Sequence, residues 1–140
     1  MTATALSATG TRDSFLRLAM RADGVLTGLA GLAMLPLAGW IAEISGTTPA
    51  IEYTIAAFFV IYGAVVLGLS ALPSLRRPGL AVIAANISYT VAAVAVVLTD
   101  VWSMTTTGVL LALATGVYTL VFADLQYIGW RRLNPRDRTP

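Results

Sequence analysis

The sequence contains no cysteine, no histidine and no lysine. Without the first two there is no disulfide, no thiolate centre, no cysteine nucleophile, and no imidazole ligand for haem, zinc or copper. Charge is also scarce: charged residues make up 11% of the 140 positions, against roughly 25% in an ordinary soluble domain. Nine arginines and seven acidic residues cannot supply the polar surface that a small water-soluble fold exposes. What the chain has instead is apolar length. Hydrophobic residues are 57% of it and the mean hydropathy is +0.79, so the bilayer is the expected solvent.

Four uncharged runs follow one another: 19 residues over 24–42, 23 over 53–75, 22 over 78–99 and 23 over 101–123. Each is close to the ~20 apolar residues that a helix needs to cross about 30 Å of hydrocarbon. Within lipid every backbone N–H and C=O must be paired inside its own segment or in a closed barrel. These runs lack the alternation of a membrane β-strand. The expected fold is a single all-α domain over 1–140, an integral membrane bundle of four transmembrane helices. Turn residues separate the runs, among them Gly46 and Pro49, Pro73 and Pro78, and Asp100 to Ser103. Connections this short make neighbouring helices antiparallel, so the bundle is expected to run up-down-up-down with both termini on one side.

The arginines give that side a name. Arg12, Arg17 and Arg21 precede the first run, Arg76 and Arg77 lie between the second and third, and Arg131, Arg132, Arg136 and Arg138 follow the fourth. The other two connections hold Glu43, Glu52 and Asp100 and no cation. The positive-inside rule then places the N- and C-termini in the cytoplasm. Trp40, Trp102 and Trp130 fall at run ends, where an amphipathic indole anchors in the headgroup region. The first run is longer than the apolar part of a secretory signal and Glu43 follows it, so it is expected to be retained. Asp13, Arg17 and Arg21, spaced four apart, predict an interfacial helix over 13–23, with Arg17 and Arg21 facing lipid headgroups. Residues 1–11 and 134–140 are expected to fray.

Helices in lipid associate where small residues allow close approach. The expected contact stripes are Gly24, Gly28 and Gly31; Ala81, Ala85, Ser88, Ala92 and Ala95; and Gly108, Ala112, Thr115 and Thr119. Each serves contacts within the bundle or, where left over, contacts with a second copy. Pro36 removes a backbone hydrogen bond inside the first run and is expected to kink it.

Polar groups within the runs are few. Asp23, Asn86 and Asp124, with Gln126 near the last, are expected in the half of the bundle nearest the arginines. An unpaired carboxylate there costs on the order of 3 kcal/mol. Two arrangements are open: a structural network in which Arg17 or Arg21 pairs with Asp124, Asn86 bridges helices and Asp23 is solvated at the boundary, or a cytoplasm-facing site in which Asp124 holds a cation or proton and Asn86 supplies an amide. Arg131 and Arg132 serve as further counter-charges or headgroup contacts. The opposite half offers no matching group, so no polar path through the whole bilayer is expected. No catalytic, cofactor or metal site is expected, because too few acids converge to replace the missing histidine and cysteine. Nucleic-acid binding is not expected either, since topology explains the arginines.

The stretches Leu16–Gly24 (LRLAMRADG), Ala85–Tyr89 (ANISY) and Ala123–Arg132 (ADLQYIGWRR) together resemble a group of small four-helix bacterial integral membrane proteins of no established activity. The resemblance implies a bacterial inner membrane. The chain is also similar in size to DoxX-like proteins, without a diagnostic motif of theirs. The expected function is a non-catalytic membrane component, an accessory or assembly partner acting through helix contacts with a second membrane protein or with its own copies. The alternative is a small oligomeric transporter or channel using Asp23, Asn86 and Asp124.

Overall fold

The computed structural model describes the backbone of residues 2–133 and the side chains of residues 13–133. The chain is all-α: α1 (Thr2–Ser45), α2 (Pro49–Ser70), α3 (Arg76–Thr99) and α4 (Thr106–Arg131). All four are long and apolar enough to span a membrane, α1 over Asp13–Ser45.

The segment 13–23 is not a separate interfacial element. It is continuous with α1, which also takes in residues 2–11. Leu16 and Met20 are fully buried, against Val66, Leu75 and Val82, and burying these two draws the segment into the bundle. Residues 134–140 lie outside the described residues. Pro36 lies inside α1 without ending it, on an exposed face.

Local chemistry sets the helix ends. The chain leaves α1 through Gly46 at φ 74°, a left-handed conformation that costs glycine little. Thr48 then caps α2, its hydroxyl accepting from the N–H of Ile51 at 3.3 Å, with Pro49 as the first helical residue. Thr105 caps α4 in the same way, accepting from Gly108 N at 3.1 Å. The same hydroxyl donates to Ile44 O at 2.6 Å, and the Thr105 N–H donates to Ser45 O at 3.0 Å. The α1–α2 and α3–α4 connections are thereby tied together at one end of the bundle.

α1 packs along α2 and α4, α3 packs along α4, and α2 and α3 scarcely meet. The α1–α2 contact is the closest. Gly24, Gly28 and Gly31 face α2 as expected, and a Cβ on Gly63 would stand 2.6 Å from Gly24 O and 2.7 Å from Gly28 Cα. On α2 the buried residues are Glu52, Ala56, Phe59, Gly63, Val66 and Ser70, a four-three spacing that belongs to left-handed helix packing.

On α3 the contact stripe differs from the expected one. Ala81, Ala85, Ser88, Ala92 and Ala95 are all exposed, and the buried residues are Gly79, Val82, Ile83 and Asn86. The amide of Asn86 decides the rotation, since turning it outward forfeits its hydrogen bonds to Asp23 and Gln126. Beyond Asn86 no residue of α3 is buried. This half of the helix stands away from α2.

Candidate functional site

Asp23 of α1 is completely buried and receives side chains from all three other helices, including the Tyr118 hydroxyl of α4 at 3.5 Å from its Oδ1. Its Oδ2 accepts from Tyr62 Oη of α2 at 2.9 Å, Asn86 Nδ2 of α3 at 2.8 Å and Gln126 Nε2 of α4 at 2.9 Å. Its Oδ1 accepts from Thr27 Oγ1 at 3.1 Å. Thr27 lies 3.0 Å from the hydroxyl of Tyr118, so these two share a proton position. Asn86 Nδ2 also donates to Gln126 Oε1 at 2.9 Å. The amides are fixed in direction, because flipping Asn86 would set its carbonyl against the carboxylate. A second layer of hydroxyls continues along α3 and α4: Thr90 lies 2.7 Å from Thr119 and donates to Gly116 O, and Tyr89 donates to Thr115 at 3.2 Å.

Of the expected cluster, Asp23, Asn86 and Gln126 come together and Asp124 does not. Asp124 is exposed and has no hydrogen bond or ion pair among the described residues. Gln126 is two residues, about 200° of helix, further on. Burial of Gln126, Ala123 and Gly129 fixes the inward face and turns Asp124 outward. The expected pairing of Arg17 or Arg21 with Asp124 is likewise not formed. Arg17 bonds Asp13 at 2.9 Å, Leu72 O at 3.0 Å and Ser70 O, binding α1 to the α2–α3 connection. Arg21 is exposed. The guanidinium of Arg131 lies 5.8 Å from the Tyr127 ring centroid and that of Arg132 4.7 Å from that of Phe15. Trp130 donates to Arg76 O at 3.0 Å. These contacts gather the described arginine-bearing segments at one end of the bundle.

Tyr62, Tyr118 and Thr27 complete the hub and were not expected from the sequence. Their signal was present: a tyrosine in mid-span needs a partner for its hydroxyl, and Thr27 is one turn from Asp23 on the same face.

Two cavities lie between the helices, each lined by all four. The first, of about 260 Å³, is bounded by Thr27, Tyr62, Asn86, Tyr118 and Thr119 on the side of the hub. Asp23 itself stands behind these residues. The second, of about 490 Å³, lies toward the opposite end, among Met34, Trp40, Glu52, Val96, Trp102 and Met104. Phe59, Tyr89, Leu111 and Thr115 line both cavities and form the partition. The rings of Phe58 and Phe59 lie 6.4 and 5.7 Å from that of Tyr89 and fill the gap between α2 and α3.

No family model matches the chain, and no curated protein or solved structure matches it either. The function is therefore argued from the site.

Glu52 corrects the expectation that the half away from the arginines holds no group matching the cluster. It lies in the first turn of α2, is 5% exposed, and lines the larger cavity. Its Oε1 accepts from Thr47 Oγ1 at 2.5 Å. In sequence it reads as a loop acid. In the fold it begins the buried stripe of α2, four residues before Ala56. Trp40 and Trp102, expected as interface anchors, are 59% and 38% exposed and also line this cavity. Among the described residues no three acids gather as metal ligands.

Proposed function

We propose that the protein is a multi-pass inner-membrane protein that takes a small, mainly apolar molecule into its own bundle, as a carrier or membrane-phase binding protein. The arginine-bearing end and both termini face the cytoplasm, by the positive-inside rule. The observation that carries this reading is the pair of cavities stacked within a bundle in which α2 and α3, unlike the α1–α2, α1–α4 and α3–α4 pairs, scarcely meet. Ligand sites run to about 300–1,000 Å³, and the larger space, of about 490 Å³, falls in that range. Ala85 and Ala92 of α3 and Phe58 of α2 line the cavities and are exposed, so the space reaches the bundle surface where lipid tails would lie. The site lies within one chain, so this form of the transporter reading needs no oligomer.

The hub supports the cavity rather than serving as its reacting group. Asp23 ties side chains from all three other helices to a single carboxylate, holding the bundle closed at one level while α3 stands apart beyond it.

The test is binding of the neutral dye Nile red to the protein in phosphatidylcholine nanodiscs. A saturable component absent from empty discs, displaced by 1-octanol and lost in Ala92→Trp, supports the proposal. Absence of a saturable component, with a stoichiometric second protein in mild-detergent preparations, overturns it in favour of the assembly role.

A further inference from the structure

We propose that the larger cavity is a binding site for a monovalent organic cation, a protonated amine on an apolar body, recognised by the carboxylate of Glu52. The inference rests on the binding role above and adds the class of ligand.

Among the described residues, Glu52 is the one charged residue lining either cavity. A carboxylate offers about four acceptor positions, and the single side-chain hydrogen bond to Glu52 comes from Thr47. Among the described side chains no buried polar oxygen or nitrogen lacks a partner, so the second carboxylate oxygen is not sealed in protein, and Glu52 lines the cavity. No cation lies within ion-pair distance of Glu52 among the described residues. It differs in this from Asp23, whose two oxygens are occupied by donors from four helices.

The remaining wall fits the rest of such a ligand. Phe59, Tyr89, Trp40 and Trp102 supply aromatic surface that favours a cation, and Met34 and Val96 supply apolar surface. An inorganic divalent ion would require several converging oxygens, and the cavity has one carboxylate and scattered hydroxyls. The approach is favourable as well: Glu43 and Asp100, both exposed, lie with Glu52 at the end of the bundle that has no arginine, an arrangement that concentrates cations at its mouth.

Octylammonium and 1-octanol are a matched pair of probes differing in the charged head. Each is titrated into the protein in zwitterionic phosphatidylcholine nanodiscs, reading the fluorescence of Trp40 and Trp102 in a Trp130→Phe background, with empty discs subtracted. Octylammonium is expected to bind about tenfold or more tightly than 1-octanol. Glu52→Gln, which keeps the volume and an acceptor for Thr47, is expected to bring the two affinities together with 1-octanol binding retained, which also shows that the variant folds. Glu43→Gln is expected to keep the preference. Equal binding of the two probes by the unaltered chain, or a preference that survives Glu52→Gln, overturns the cation assignment and leaves the binding role standing. Binding of neither probe overturns both.

Discussion

Asp23 and Asn86 stand 63 positions apart in the chain and 2.8 Å apart in the fold, an amide N–H of α3 donating to a carboxylate of α1 with both residues buried. The contact spans the bundle at a level where α1 and α3 have little other contact. It joins them through polar groups where apolar packing alone would leave them apart. Tyr62 and Gln126 bring the other two helices to the same oxygen.

Removing the acceptor tests this hub. Asp23→Ala leaves the Tyr62, Asn86 and Gln126 donors short of one partner each, and leaving buried donors unmet costs about 1–3 kcal/mol in total. A drop of that size in unfolding free energy is expected by denaturing-detergent titration. Stability equal to that of the unaltered chain would show that the hub does not hold the helices.

Asp124 and Gln126 are expected to behave oppositely. Gln126→Leu should destabilise by about 1–2 kcal/mol, while Asp124→Asn, on an exposed face, should stay within about 0.5 kcal/mol. Thermal melts of both variants in the same detergent measure the contrast. A large effect of Asp124→Asn would place that residue in a network the fold does not contain.

Gly63 and Gly68 test the α1–α2 contact. A methyl group at Gly63 meets Gly24 O and Gly28 Cα within 2.7 Å, whereas nothing lies within 4 Å of one at Gly68. Gly63→Ala should cost about 1–3 kcal/mol as the helices separate. Gly68→Ala should be neutral or stabilise by up to about 1 kcal/mol. Chemical denaturation in detergent micelles distinguishes the two.

Because the sequence has no cysteine, its orientation can be read by single-cysteine labelling. Ser74→Cys, in the α2–α3 connection, should be shielded from an impermeant maleimide added outside intact cells. Val101→Cys, in the α3–α4 connection, should react. The reverse pattern would place the arginines outside.

The carboxylate sites were only partly legible in the sequence. Asp23, Asn86 and Gln126 were visible because a carboxylate or amide inside an apolar run is costly and invites a search for partners. Asp124 was equally visible and equally plausible. The chain of charges does not record which way a residue two positions from Gln126 will face. Glu52 was hidden for the opposite reason: it sits at the end of a run, where an acid is ordinarily solvated, and only the packing of α2 against its neighbours buries it.

The amino-acid order alone determined the number of helices, their approximate limits and that each is long and apolar enough to span a membrane, because each follows from run length, charge and backbone hydrogen bonding, which are local properties. It also marked the glycine face on α1, where smallness is itself the contact. Helix rotation was decided only in three dimensions. The stripe of small residues on α3 was passed over for the neighbouring stripe that carries Asn86, since satisfying one buried amide outweighed close approach along an alanine face. That choice, together with the near absence of contact between α2 and α3, opened the cavities. They exist because long-range hydrogen bonds fix the helices at one level and leave them apart at another, which no local pattern encodes.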